Sequence, residues 1–341
     1  MSITFPLPEG VEAAGPAMMN GKGSDLTYTL NCDNLFLAFY RFVPEDTGSK
    51  EGDNQKKRAY LSALAQAWPK SGHVSALKAL HERRKAHLAA QEDVGKKTDA
   101  QTLWTNSRMV AGLGYDSPLE VGMSLHPLHG IPYLPGSSVK GIARSWAEQV
   151  LLPRKKVDPE TVESIFGHAP EAPSQDQLKG EVTFLDALPA IEEVPSDDDQ
   201  RPLEIDVMTP HYGKYYTQDQ LHGDWHQPTP VPFLTVAADV PFQFSLIADD
   251  ADLLLTASNW LRDALSHLGA GGKTRAGYGY FALVSDKEAA TEEISASGGS
   301  EDENAGLPGG VEPLAEVDAN TTHIPAEVID YTPGTDQAKV R

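Results

Sequence analysis

Cysteine is nearly missing from this 341-residue chain: Cys32 is the only one. An intrachain disulfide is therefore excluded and a cysteine-based zinc site lacks ligands, a usage that fits a reducing compartment. Long apolar runs are missing as well, since none approaches the roughly 18 residues of a membrane span. The opening Met1-Ser-Ile-Thr-Phe-Pro lacks the basic and apolar regions of a secretory leader. The expectation is a soluble, cytoplasmic protein with no membrane partner. Basic residues are scarce, 28 Lys and Arg against 49 Asp and Glu, for a formal charge of −21. Such a total argues against a polyanionic partner unless the charges are segregated along the chain.

They are segregated. Residues 286–341 hold 13 acids and 3 bases among Gly, Pro, Ala, Ser and Thr, a composition that predicts a disordered acidic tail. Glu192 to Asp206 holds 7 acids against Arg201 alone, whereas Lys50 to Lys97 holds 11 bases against 5 acids. The remaining body is close to balanced, so a basic face is compatible with the acidic whole. Residues 1–30 are expected to form an N-terminal extension. Residues 31–285 are expected to form one α+β domain, with a helical insertion at 50–97 and a loop insertion at 189–230.

Within that domain, Leu35 to Tyr40 is a short apolar run that periodicity cannot assign to strand or helical turn. Tyr60, Leu61, Leu64 and Trp68 recur at helical spacing, as do Val74, Leu77, Leu80, Arg84 and Leu88, with Gly72 read as the break between two helices. Leu103 to Val110 is strand-like, and Leu125 to Tyr133, interrupted by Pro127, Gly130 and Pro132, reads as an irregular hairpin. A helix opening at Pro135-Gly-Ser-Ser has the apolar stripe Val139, Ile142, Ala143, Trp146 and Val150. Glu181 to Leu188 is strand-like, and Pro189 to Pro230 has little periodicity. Leu234 to Leu246 alternates as a hairpin turning near Ala238-Asp239. Asp252 is placed to cap a helix that runs to Gly269, and Tyr278 to Val284 returns as a strand. The succession β-α-β-β-α-β predicts a ferredoxin-like core.

The most unusual segment is Gly269-Ala-Gly-Gly-Lys-Thr-Arg-Ala-Gly-Tyr-Gly279. It is not a nucleotide-binding P-loop: position 267 is His where a glycine is required, and the order is helix, loop, strand. What remains is a glycine-rich loop whose backbone amides can approach phosphate oxygens, with Lys273 and Arg275 for charge and Tyr278 for stacking. The structural alternative is a tight helix-to-strand turn. A second anion site is expected at the helix start, where Gly136, Ser137 and Ser138 present donors and Lys140 and Arg144 lie at i and i+4. The competing reading is an ordinary capped helix with a solvated basic stripe. Lys214, Tyr215 and Tyr216 put a cation and stacking rings into the long loop. His222 with His226, and His126 with His129, lack the further ligands of a zinc motif, and no cofactor motif is present. No nucleophile elbow occurs either; His126, His129 and Tyr133 are the clustered acid–base candidates for ribonuclease chemistry.

Several segments together resemble the RAMP superfamily of CRISPR proteins: Arg108 to Gly114, Glu120 to His126, Gly130 to Gly141 with Pro-Gly-Ser-Ser-Val-Lys-Gly, Phe166 to His168, Gly180 to Ala187, and the glycine-rich loop. Within it, Asp206-Val-Met-Thr-Pro-His-Tyr212 points to the sixth-subunit branch of type III-B (Cmr) effector complexes. The resemblance spans roughly Asn31 to Val284. It implies a modified RNA-recognition fold, a non-catalytic role holding the 3′ part of the guide RNA, and guide RNA, target RNA and other Cmr subunits as partners. It places Gly136, Ser137, Ser138, Lys140 and Arg144, and Gly271, Gly272, Lys273, Thr274 and Arg275, against RNA. The alternatives are a metal-independent guide-processing endoribonuclease and a mainly protein-clamping subunit. The basic insertion and the acidic tail match no motif of the family.

Overall fold

The computed structural model describes residues 17–20, 26–44, 47, 54–168, 178–194, 201–210 and 230–283. The acidic tail and the Lys214, Tyr215, Tyr216, His222 and His226 stretch lie outside them. In chain order the strands β1 (Ala17–Asn20) and β2 (Thr27–Leu30) pair antiparallel, and helices α1 (Leu35–Tyr40), α2 (Asn54–Ala67) and α3 (Ser71–Asp93) follow. The apolar run at Leu35 is thus helical, started by Asn34, whose side chain accepts from the Leu37 amide at 3.0 Å. Gly72 does not break the second helix but lies within α3; the break falls at Trp68–Lys70, where Pro69 ends α2.

Strand β3 (Lys97–Thr105) begins the central sheet, and α4 (Gly136–Trp146) continues as a π-helical turn to Leu151. Then come α5 (Pro159–Phe166), the short pair β4 (Gly167–His168) and β5 (Leu178–Lys179), β6 (Thr183–Phe184) and β7 (Leu188–Pro189). The chain closes through β8 (Leu203–Met208), β9 (Val231–Val236), β10 (Pro241–Ala248), α6 (Ala251–His267) and β11 (Phe281–Ala282). The central sheet has the order β11-β3-β10-β6, all antiparallel, with β7 also on β10.

Three expectations change here. The segment read as an unstructured loop insertion contains β8. The alternation from Leu234 to Leu246 is two strands that do not pair: β9 lies on β8, while β10 lies between β3 and β6. Alternation fixes which face is buried and leaves the partner open. The cap of α6 is Asp250, which accepts from the amides of Asp252 and Leu253 at 2.9 and 2.8 Å.

Both faces of the central sheet are covered. Phe244 sits opposite Gln101 and Leu246 opposite Asp99 in the β10–β3 register, so these residues share a face. On it Ser258 of α6 donates to the Asp99 carboxylate and accepts from Gln101. Phe281 packs edge-on against Phe242 and Phe244 at 5.9 and 5.5 Å. All three rings are at most 2% exposed, each worth about 1.5–3 kcal/mol of burial. On the opposite face, His81 of α3 contacts the Gln243 side chain at 3.1 Å and the Pro189 carbonyl at 2.8 Å. The basic helix α3 therefore covers the second face of the sheet, and α2 places Tyr60, Leu61 and Leu64 in the same core. Tyr28 and Leu30 of the N-terminal stretch join that core.

Candidate nucleic-acid interface

The glycine-rich loop leaves α6 through Gly269 (φ 74°) and returns to the sheet through Gly279 (φ 78°). It is fastened at both ends to the segment that follows β3. Gly272 N–H donates to the Val110 carbonyl at 2.7 Å, Gly279 N–H to Arg108 at 2.7 Å, and Ala270 N–H closes on the Gly279 carbonyl at 2.8 Å. Gly271 has φ 81°, and a Cβ there would overlap the Val110 carbonyl oxygen. No other residue type fits this position without strain. The loop floor is a small apolar cluster of Val110, Val121 and Phe233, flanked by Leu113 and Tyr278.

Against this floor the donors divide in two. The amides of Ala276, Gly277 and Tyr278 turn inward onto the Lys273 and Thr274 carbonyls. Those of Gly271, Lys273, Thr274 and Arg275 make no backbone hydrogen bond among the described residues. Lys273 adopts the left-handed conformation, φ 59° and ψ 27°, and its ammonium lies 5.9 Å from the Phe233 ring centre. Lys273 and Arg275 are exposed and pair with no carboxylate among the described residues. Gly272 is thus spent on the scaffold, whereas Lys273, Thr274 and Arg275 remain available to an anion.

Tyr278 does not present itself for stacking. Its hydroxyl donates to the Asp206 carboxylate, and Asp206 also accepts from Arg108 at 3.2 Å, whose Nε donates to Glu204 at 2.6 Å. Burial, with the Asp206 hydrogen bond added, pushes the Tyr278 phenol up to about 12. Burial pulls the Asp206 carboxyl upward, but hydrogen bonds from Tyr278 and the Val207 amide and the charge of Arg108 outweigh it, holding the group below its usual range. This network ties β8 to the loop. Asp206 belongs to the segment that marked the sixth-subunit resemblance, yet nothing in spacing alone indicated its contact with Tyr278.

The start of α4 differs from the expectation of free donors. Gly136 N–H donates to Asp186 Oδ1 at 2.7 Å, and a Cβ on Gly136 would overlap the Phe184 carbonyl. The helix start is pressed onto β6 and capped by a carboxylate, while Ser138 N–H turns back to the Pro135 carbonyl at 2.8 Å. Ser137 and Ser138 are exposed. Burial and the neighbouring Arg144, one helical turn away, lower the Lys140 pKa. Arg144 is itself engaged, its Nε on Glu148 at 2.7 Å. That i,i+4 partner was readable in the sequence.

No hydrogen bond, ion pair or ring contact among the described residues joins the glycine-rich loop to α4. The connecting path is residues 108–134. It starts under the loop, passes Tyr115 and Met123, and ends at Leu134, which bridges to Ala187 beside Asp186. Along it His126 lies 4.7 Å from His129 and 5.3 Å from Tyr133, ring to ring. Burial, His126 and Arg83 lower the His129 pKa. Among the described residues no cluster of three metal-ligating side chains occurs, and no helix is long and apolar enough to cross a membrane.

A glycine-rich turn between helix and edge strand, set on an antiparallel sheet with a Pro-Gly-Ser-Ser-Val-Lys-Gly helix, defines a class. The chain belongs to the RAMP superfamily, which it matches over residues 103–282. Its relatives are more particular. It is 34% identical over 223 residues to the CRISPR system Cmr subunit Cmr6 of Pyrococcus furiosus, covering 51% of this chain and 65% of that protein, just under two thirds of its length. It is 26% identical over 263 residues to the CRISPR system CMR subunit Cmr6 of Saccharolobus solfataricus, covering 74% of this chain and 81% of the relative. Among solved structures, a chain of the type III-B Cmr-beta complex bound to cognate target RNA shares the fold, with a TM-score of 0.53 and 23% identity over 68% of this chain and 72% of that one.

Proposed function

We propose that this chain is a non-catalytic RNA-binding subunit of a type III-B CRISPR effector complex, equivalent to the sixth Cmr subunit. It holds the 3′ part of the guide RNA, lies beside target RNA and contacts neighbouring Cmr subunits. Two relatives that bear the name Cmr6 support this reading. The observation that carries the RNA contact is the glycine-rich loop: amides at Gly271 and Lys273 to Arg275 without a backbone acceptor among the described residues, and two exposed cations without a carboxylate partner among them, on an apolar floor. Amides and cations so arranged suit a phosphate chain of any sequence, so target specificity falls to guide pairing. The core is read as ferredoxin-like, supported by the succession β3-α4-β6-β10-α6-β11 and the antiparallel order β11-β3-β10-β6. Lys140, Ser137 and Ser138 form the second phosphate contact, weaker because Asp186 and Glu148 take part of its donor capacity.

The test is guide RNA retention by the purified complex carrying Lys273→Glu with Arg275→Glu. Loss of guide is the expected result, largest relative to the unaltered complex at low salt because fewer phosphate contacts give a shallower salt dependence; undiminished occupancy at all salt concentrations overturns the reading. A second reading, a metal-independent endoribonuclease, has one observation in its favour: His126, with a buried Nδ1 lacking a partner, beside His129 and Tyr133. Site-specific cleavage of repeat RNA in EDTA, abolished by His126→Ala, would establish it in place of the scaffold role.

A further inference from the structure

A half-open pocket of about 360 Å³ lies between α1 and residues 115–133, within the roughly 300–1,000 Å³ of small-ligand sites. Four of its walls are aromatic: Phe36, Tyr40, Tyr115 and Tyr133. Phe36 and Tyr40 lie 5.0 Å apart, ring to ring. The Tyr40 hydroxyl is locked, donating to the Met123 carbonyl at 2.5 Å and accepting from the Met123 amide at 2.9 Å, so this ring is a fixed wall. Tyr115 is 54% exposed and forms the outer wall. Ser124 also lines the pocket; it is 4% exposed and its hydroxyl is buried with no hydrogen-bond partner. A buried hydroxyl left unpaired costs free energy, which a ligand's polar edge would recover if the Ser124 side chain turned to meet it. Arg41 and Asp116 stand at the mouth, one a donor and one an acceptor.

We infer that this pocket receives a single unstacked nucleobase of the bound RNA. The chemistry fits one planar ring with a polar edge: aromatic faces for stacking, one buried hydroxyl, and both signs of charge at the rim. A lipid chain would leave Ser124 and the rim charges unmatched, and a phosphate would meet mostly apolar walls. Position supports the same occupant, because the pocket is built from the segment that runs from beneath the glycine-rich loop to the start of α4. The inference rests on the RNA-binding reading above and adds to it a site for a base where the two bends supply only backbone contacts.

The experiment uses the full chain and a single-stranded RNA in which 5-iodouridine replaces uridine at one position at a time, with binding measured by anisotropy and crosslinks mapped by mass spectrometry. Crosslinking confined to a few RNA positions and landing on Tyr115 or Tyr133 is expected. Tyr115→Ala is expected to weaken binding about tenfold, with an unchanged salt slope because no phosphate contact is lost. Ser124→Val keeps the shape and removes the hydroxyl; a smaller loss is expected, with the thermal midpoint preserved. RNA that binds with full affinity to both variants and crosslinks only elsewhere overturns the pocket assignment while leaving the RNA-binding reading intact. Absence of RNA binding by the unaltered chain removes both. Retained RNA affinity together with competition for the pocket by an aromatic peptide assigns the site to a protein partner and overturns the base.

Discussion

The glycine-rich loop and the start of α4 look alike as sequence, each a glycine-containing bend flanked by two cations, and the fold treats them in opposite ways. At α4 the first amide is taken by Asp186 and the second cation by Glu148. In the loop, the glycines are used to fasten the backbone to Val110 and Arg108, and Lys273 and Arg275 have no carboxylate partner among the described residues. One bend is satisfied by the protein and the other is left open. A bend serves as an anion site only when the fold withholds its own acceptors, which the residues of the bend do not reveal.

Four perturbations, the second made at both bends, break or sharpen that contrast. Gly271→Ala is expected to act most strongly, destabilising the domain by about 2–4 kcal/mol in chemical denaturation, since a left-handed backbone and overlap with Val110 combine. A loss below 1 kcal/mol would show that the loop is not clamped. Next, Lys273→Glu with Arg275→Glu is expected to lower RNA affinity by about 100-fold and the salt slope by roughly 1.4, the value for two single-strand phosphate contacts. Arg144→Glu is expected to change affinity by less than about threefold, and equal effects at the two bends would erase the distinction.

Asp206→Ala comes third, at roughly 1–2 kcal/mol for the charge-assisted bonds to Tyr278 and Arg108. Because the folded carboxyl titrates below the usual 3.8, the stabilisation it supplies is complete above that value and fades as pH falls through the lower folded pKa. The acid limb of the stability profile should therefore flatten in the variant. The smallest effect is expected at Arg144→Ala, a loss of about 0.3–0.5 kcal/mol for a half-exposed i,i+4 pair. A thermal midpoint that drops by more than a few degrees would mean that Glu148 is not its only role.

What the sequence made legible follows from distance along the chain. The helices α2, α4 and α6 were readable from their apolar stripes, because helical periodicity is local. The pairing of β9 with β8 was not, because Leu234 to Leu246 alternates identically whichever neighbour it finds. The α6 cap was missed by two residues, since Asp250 and Asp252 are chemically equal choices. In the glycine-rich loop, Lys273 and Arg275 were legible as the two cations of an unusual motif. Asp186, fifty positions from Gly136, and Asp206, paired with Tyr278, were not, because only the closed sheet brings them together. Gly72 was misread because a glycine near a helix start is tolerated there when Pro69 has already set the boundary.

The hydrogen bonds from Gly272 and Gly279 to the stretch just after β3 bear on biosynthesis. A ribosome releases β3 long before α6, so the acceptors wait on a half-made polypeptide for donors near its far end. Until the chain reaches Gly279 and β11 seats at the sheet edge, the bend is held at Gly272 alone and lacks its second clamp. A prematurely terminated product that stops short of Gly279 would therefore carry the family's Pro-Gly-Ser-Ser-Val-Lys-Gly helix at α4 and yet lack the clamped glycine-rich turn.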